Sequence, residues 1–72
     1  MSMKKTTVKL ETDYIKLDSL LKFAGIADSG GMAKEMILSG EIKVNGETCL
    51  LRGKKIKTAD VVETDDMTIL VE

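Results

Sequence analysis

Apolar residues recur along this chain with two different periods. Leu17, Leu20, Leu21 and Ala24 stand at i, i+3, i+4 and i+7, which puts them on one stripe of a helix. Asp18 falls in the first turn, where a negative charge suits the helix dipole. Gly25 can adopt the left-handed conformation that ends a helix. After a connection of about four residues, Asp28 or Ser29 offers an N-cap. Ala33, Met36, Ile37 and Gly40 then form a second stripe, with Gly40 as the stop. The small Ala33 lets the second helix approach the first closely.

Elsewhere the period is two. Val8 and Leu10 flank Lys9 within residues 6–12, TTVKLET, a half-buried strand pattern. Ile42-Lys43-Val44 alternates in the same way and runs into Asn45-Gly46, the strongest two-residue hairpin signal. A two-residue turn sets Val44 opposite Glu47, Lys43 opposite Thr48 and Ile42 opposite Cys49. Ile42 and Cys49 then share the core face. Lys43 lies on the other face, within reach of Arg52 by the same alternation. Val61-Val62 and residues 67–71 read as two further strands joined by the turn Thr64-Asp65-Asp66. The fold class is α+β: two packed helices against a small, mostly antiparallel sheet, in one domain over residues 1–72. Leu17, Leu20, Leu21, Ala33, Ile37 and Val44 are its expected core.

Composition narrows the chemistry. Seventy-two residues suffice for one domain, which buries only roughly 60% of its unfolded surface. With one Phe, one Tyr and no Trp, the core must be aliphatic, and deep stacking platforms for single-stranded nucleic acid are absent. There is no His, hence no imidazole metal site and no His general base. Cys49 is the sole cysteine, which excludes an internal disulfide and a thiolate zinc site. Its expected role is a small buried hydrophobe. The densest carboxylates, Asp65 and Asp66, fall in a turn, where Asp serves backbone hydrogen bonding. No catalytic residue, metal or cofactor is therefore expected. No apolar run is long enough to span a membrane, and the start, MSMKKTTVKLE, has no apolar segment behind its lysines. A cytoplasmic protein is the expectation.

The formal net charge is −1, yet the charges are segregated. Lys4, Lys5 and Lys9 open the chain without an acid. Arg52, Lys54, Lys55 and Lys57 share an acid-free stretch, and Asp60, Glu63, Asp65, Asp66 and Glu72 follow it without a base. Such a pattern can build one basic face on a near-neutral molecule, or an evenly solvated surface. Two places are candidates for anions. Gly30-Gly31 at a helix start can leave N–H groups open to a phosphate, with Lys34 one turn on; alternatively they only permit a tight turn. Arg52-Gly53-Lys54-Lys55 can contact phosphates without reading bases, or can simply solubilise a loop.

These residues resemble the alpha-L RNA-binding domain, the family named after the fourth protein of the small ribosomal subunit. Its pattern is a basic residue with Leu-Asp, spaced leucines, a Gly, a Ser-Arg pair, an Ala, an Ile, a Gly and Val-x-Val-Asn-Gly. Here stand Lys16-Leu17-Asp18, Leu21, Gly25, Ser29-Gly30, Ala33, Ile37, Gly40 and Ile42-Lys43-Val44-Asn45-Gly46, and the likeness continues to Val71. Gly30 replaces the family's Arg. Ser-Gly-Gly-Met-Ala-Lys with Arg-Gly-Lys-Lys is similar to the small stand-alone bacterial branch, the YaaA-type proteins. The resemblance implies RNA binding, with the second helix and the following hairpin facing the RNA, and a ribosome-related role in assembly or maturation. The expectation is a non-catalytic monomer that binds structured ribosomal RNA. The expected contact surface, from the residues and the resemblance together, is Lys16, Ser29, Gly30, Gly31, Lys34, Lys43, Arg52, Lys54 and Lys55. A ribosomal subunit or its precursor is the implied partner, and no membrane is. The alternative is a protein-interaction adaptor that kept the fold without binding RNA. Leu38 and Leu50, both exposed in a lysine-free patch, would mark it.

Overall fold

The two hydrophobic periods sort the chain into helices that cover one face of a sheet. The computed structural model describes residues 4–72; the first three residues of the MSMKK start lie outside them. The elements are β1 (Lys4–Val8), β2 (Ile15–Lys16), α1 (Leu17–Phe23), α2 (Gly30–Leu38), β3 (Lys43–Val44), β4 (Glu47–Thr48), β5 (Lys55–Ile56), β6 (Val61–Glu63) and β7 (Met67–Val71). The main sheet runs β1-β7-β6-β3-β4, and β2 with β5 forms a separate two-stranded sheet. Every pairing is antiparallel except β1 with β7. The fold is thus α+β with a mostly antiparallel sheet.

Leu17, Leu20 and Leu21 of α1 are fully buried, as are Ala33 and Ile37 of α2. They meet Val44, Val62 and Ile69, whose cross-strand register puts them in one row on the inner sheet face. Ile42 and Ile56 complete an aliphatic core. Ser29 caps α2, its hydroxyl accepting from the Met32 N–H at 3.1 Å. Gly40 ends it with φ of +85°, a backbone state that costs any other residue strain.

The hairpin has the expected register, with Val44 opposite Glu47 and Lys43 opposite Thr48. Asn45 and Gly46 both take positive φ, +52° and +87°. Asn45 does more than turn the chain. Its side-chain carbonyl accepts from the Val61 N–H at 2.9 Å, and its amide donates to Asp60 Oδ1 at 3.0 Å. Asp60 Oδ2 accepts from the Lys57 N–H at 2.8 Å. These hydrogen bonds, that from Lys57 foremost, hold the Asp60 carboxyl below its ordinary range, with help from the nearby Lys54 and Lys57 charges. A depressed folded-state pKa contributes stability that is complete above the unfolded value and lost as pH falls through the folded one. The stability advantage of the parent over Asp60→Asn should therefore shrink as pH drops below about 4. Urea midpoints of both proteins across acid pH check this.

Four expectations need correction. The first strand occupies residues 4–8, because its backbone partner is β7 and that pairing ends at Val8–Val71. The connection between helices is six residues, 24–29, long enough for Ile26 and Ala27 to reach the core. Cys49 is only half-buried, since the chain leaves the hairpin just after Thr48. Arg52 does not follow Lys43 onto the outer sheet face, because β4 has ended and Arg52 turns toward α1.

Candidate functional site

The small sheet is what gathers the cations. β5 pairs with β2 directly before α1, with Lys16 opposite Lys55 and Ile15 opposite Ile56. Ile56 is fully buried and Ile15 half-buried, so the alternation turns both lysines outward together. Directly opposed Cβ atoms lie about 5 Å apart, and like charges there destabilise a strand pair. Among the described residues the only ion pair is Arg52 with Asp18, so no carboxylate neutralises either lysine.

The segment before β5 wraps the start of α1. The carbonyls of Lys54 and Arg52 accept from the N–H groups of Leu17 and Asp18, at 2.9 and 3.1 Å. These bonds satisfy donors that a helix start leaves without intrahelical partners. The Arg52 guanidinium donates from Nε to Asp18 Oδ2 at 3.3 Å, and a second nitrogen lies equally close to that oxygen. Exposed pairs of this kind add little stability, but this one fixes where Arg52 points. Lys55 places its ammonium over the Tyr14 ring, 4.9 Å from the centroid. Lys54 instead lines an open groove of about 540 Å³ together with Glu47, Cys49, Leu50, Leu51 and Asp60.

The nine residues proposed from sequence therefore fall into three groups. Lys16, Arg52 and Lys55 come together around the start of α1 and the small sheet, joined by the backbone of Lys54, whose side chain lines the neighbouring groove. Ser29, Gly30, Gly31 and Lys34 belong to the first turns of α2. With the Ser29 hydroxyl taken by Met32, the N–H groups of Gly30 and Gly31 have no intrahelical acceptor. Neither glycine has positive φ, and a Cβ on Gly30 would meet nothing within 4 Å. The turn therefore does not require glycine at either position. Lys43 stands apart on the outer face of the main sheet, between Thr48 and Glu63 in register. Glu63, its neighbour across the sheet, places a negative charge beside it.

Folding also disperses some of the segregated charge. Lys5 aligns with Thr68, and Thr68 with Glu63, so the basic amino-terminal strand lies beside the acidic carboxy-terminal ones. Tyr14 and Asp18 also lie at the site, beside Lys55 and Arg52, although neither was among the nine residues expected to make contact. Asp18 meets Arg52 across 34 positions, and no local pattern encodes that contact. Among the described residues no group of His, Cys, Asp or Glu could hold a metal ion, and no helix is long and apolar enough to cross a membrane.

Two helices packed against a mostly antiparallel sheet agree with the family comparison. The S4 domain model matches residues 8–72, and the chain belongs to the S4 domain family. Among curated proteins it is similar to the probable ribosome maturation protein RlbA of Bacillus subtilis (strain 168). The two are 40% identical over 58 residues, which cover 81% of this chain and 82% of that relative.

Proposed function

We propose that this chain is a non-catalytic, cytoplasmic RNA-binding protein that engages structured ribosomal RNA as a monomer, during assembly or maturation of a ribosomal subunit. The observation that carries this reading is the opposed, uncompensated pair Lys16 and Lys55 beside Arg52 and Lys54. Functional sites are where proteins break local rules, and a phosphate between two lysines converts a repulsion into two attractions. Membership of the S4 family and the relative's name support the ribosomal context. Phosphate-directed lysines and scarce rings favour recognition of backbone and shape over sequence. Ser29, Gly30, Gly31 and Lys34 would add a second phosphate contact through exposed backbone N–H groups, and Lys43 a marginal third.

Crosslinking in cells, followed by sequencing of the attached RNA, tests this. Crosslinks should map to a few adjacent ribosomal RNA positions and disappear when Lys16 and Lys55 are changed to Glu. Crosslinks that merely follow RNA abundance, or none, would refute it.

Gly30 offers a gain-of-function test. The space around it accommodates a side chain without strain, so Gly30→Arg should fold normally and restore the family's cation. Its affinity for ribosomal RNA should rise several-fold, with a salt dependence steeper by about one phosphate contact. Anisotropy titrations at several salt concentrations measure both.

One observation favours the second reading, a protein-interaction adaptor. Leu38 and Leu50 are both exposed, at 57% and 54%. Leu50, however, shares its groove with Lys54, Glu47 and Asp60, so its surroundings are not the lysine-free patch that reading requires. A pull-down that recovers a protein partner after nuclease treatment, and no RNA before it, would favour the adaptor.

A further inference from the structure

Tyr14 occupies an unusual position for the one tyrosine of a chain without tryptophan. It directly precedes β2, so its ring lies at the edge of the Lys16–Lys55 sheet, and it is 38% exposed. Its backbone is anchored, since the Thr12 hydroxyl donates to the Tyr14 carbonyl at 2.8 Å. The Lys55 ammonium lies over the ring, 4.9 Å from its centroid.

We propose that Tyr14 is a stacking subsite for one unpaired nucleobase, with Lys55 serving the phosphate next to it. The inference rests on the RNA-binding reading above and names the kind of RNA the site prefers: a helix interrupted by a bulged or flipped nucleotide. A cation over an exposed ring is held weakly, whereas a stacked base gains more. An arriving base therefore displaces the ammonium from the ring face. The lysine stem is long enough to reach an adjacent phosphate, and Lys16, its cross-strand partner, is a like charge that weakens the hold on Lys55 in its present place. Lys55 in the free protein thus keeps the ring face clear of permanent packing. The ring supplies a preference for unpaired nucleotides that phosphate contacts alone lack.

The test uses the full chain, with its tyrosine isotopically labelled, and two synthetic RNAs. One is a blunt duplex and the other is the same duplex with a single bulged adenosine. Affinity is read by anisotropy and stacking by the Tyr14 ring resonances, which move upfield under a stacked base. The bulged duplex should bind about tenfold more tightly than the blunt one and should alone shift the ring signals. Tyr14→Phe should retain this preference, and Tyr14→Leu should abolish it while still binding both RNAs. If the bulged duplex binds while the ring signals stay unmoved and Tyr14→Leu matches the parent, the stacking subsite is wrong and the RNA-binding function stands. If neither RNA binds at low salt, the function itself fails and the subsite with it.

Discussion

Changing Lys16 and Lys55 together to glutamate is expected to weaken binding to structured ribosomal RNA by on the order of 100-fold at about 0.1 M salt. Each lysine near a phosphate contributes about 1 kcal/mol through water, and reversal replaces each attraction with a repulsion. Salt screening then trims the sum. The fold should barely notice, because one like-charge pair replaces another at the same cross-strand position. The single change Lys16→Glu makes a sharper distinction. It creates an opposite-charge pair with Lys55, which should stabilise the small sheet by a few tenths of a kcal/mol while RNA affinity falls. Stability and binding moving in opposite directions identify a site kept for its ligand. Urea midpoints and RNA titrations on the same variants measure both.

Ile37→Ala is expected to cost about 3 kcal/mol of stability. α2 buries only Ala33 and Ile37 completely, and Ala33 has one methyl group to offer. Ile37 is thus the main anchor of that helix on α1 and the sheet. A domain of this size has roughly 4–10 kcal/mol in total, so one substitution removes a large fraction of it. The neighbouring contacts are aliphatic and close-packed, which limits how far they can collapse into the gap. Thermal and urea unfolding should both show the loss. A cost below about 1 kcal/mol would mean that α2 is held by something other than this side chain.

What the sequence revealed was local. The stripe of Leu17, Leu20 and Leu21, the cap at Asp28 or Ser29, the stop at Gly40 and the Asn45-Gly46 register are each set within a few residues; the cap falls on Ser29 and the others stand as expected. What it concealed depends on distant pairing. β2 and β5 have two residues apiece, too few to show alternation, yet their pairing brings Lys16 to Lys55. The parallel match of β1 with β7 brings together strands from opposite ends of the sequence, and puts Lys5 in register with Thr68, the neighbour of Glu63. Arg52 was legible as basic, but its clip to Asp18 was not. Gly30 and Gly31 looked like turn residues, whereas their φ values and free space show that the turn has no need of them. The core could be read from periodicity. The site could be read only as residue types, because strand pairing decides which cations meet.

The most direct measurement is the salt dependence of parent binding to a structured ribosomal RNA fragment, set beside that of the Lys16→Glu/Lys55→Glu variant. With Lys16, Lys55 and part of Arg52 and Lys54 engaged, log affinity against log salt should fall with a slope of roughly −3 for the parent and near −1 for the variant. A flat parent line, or identical slopes for the two proteins, would contradict phosphate binding by the small sheet.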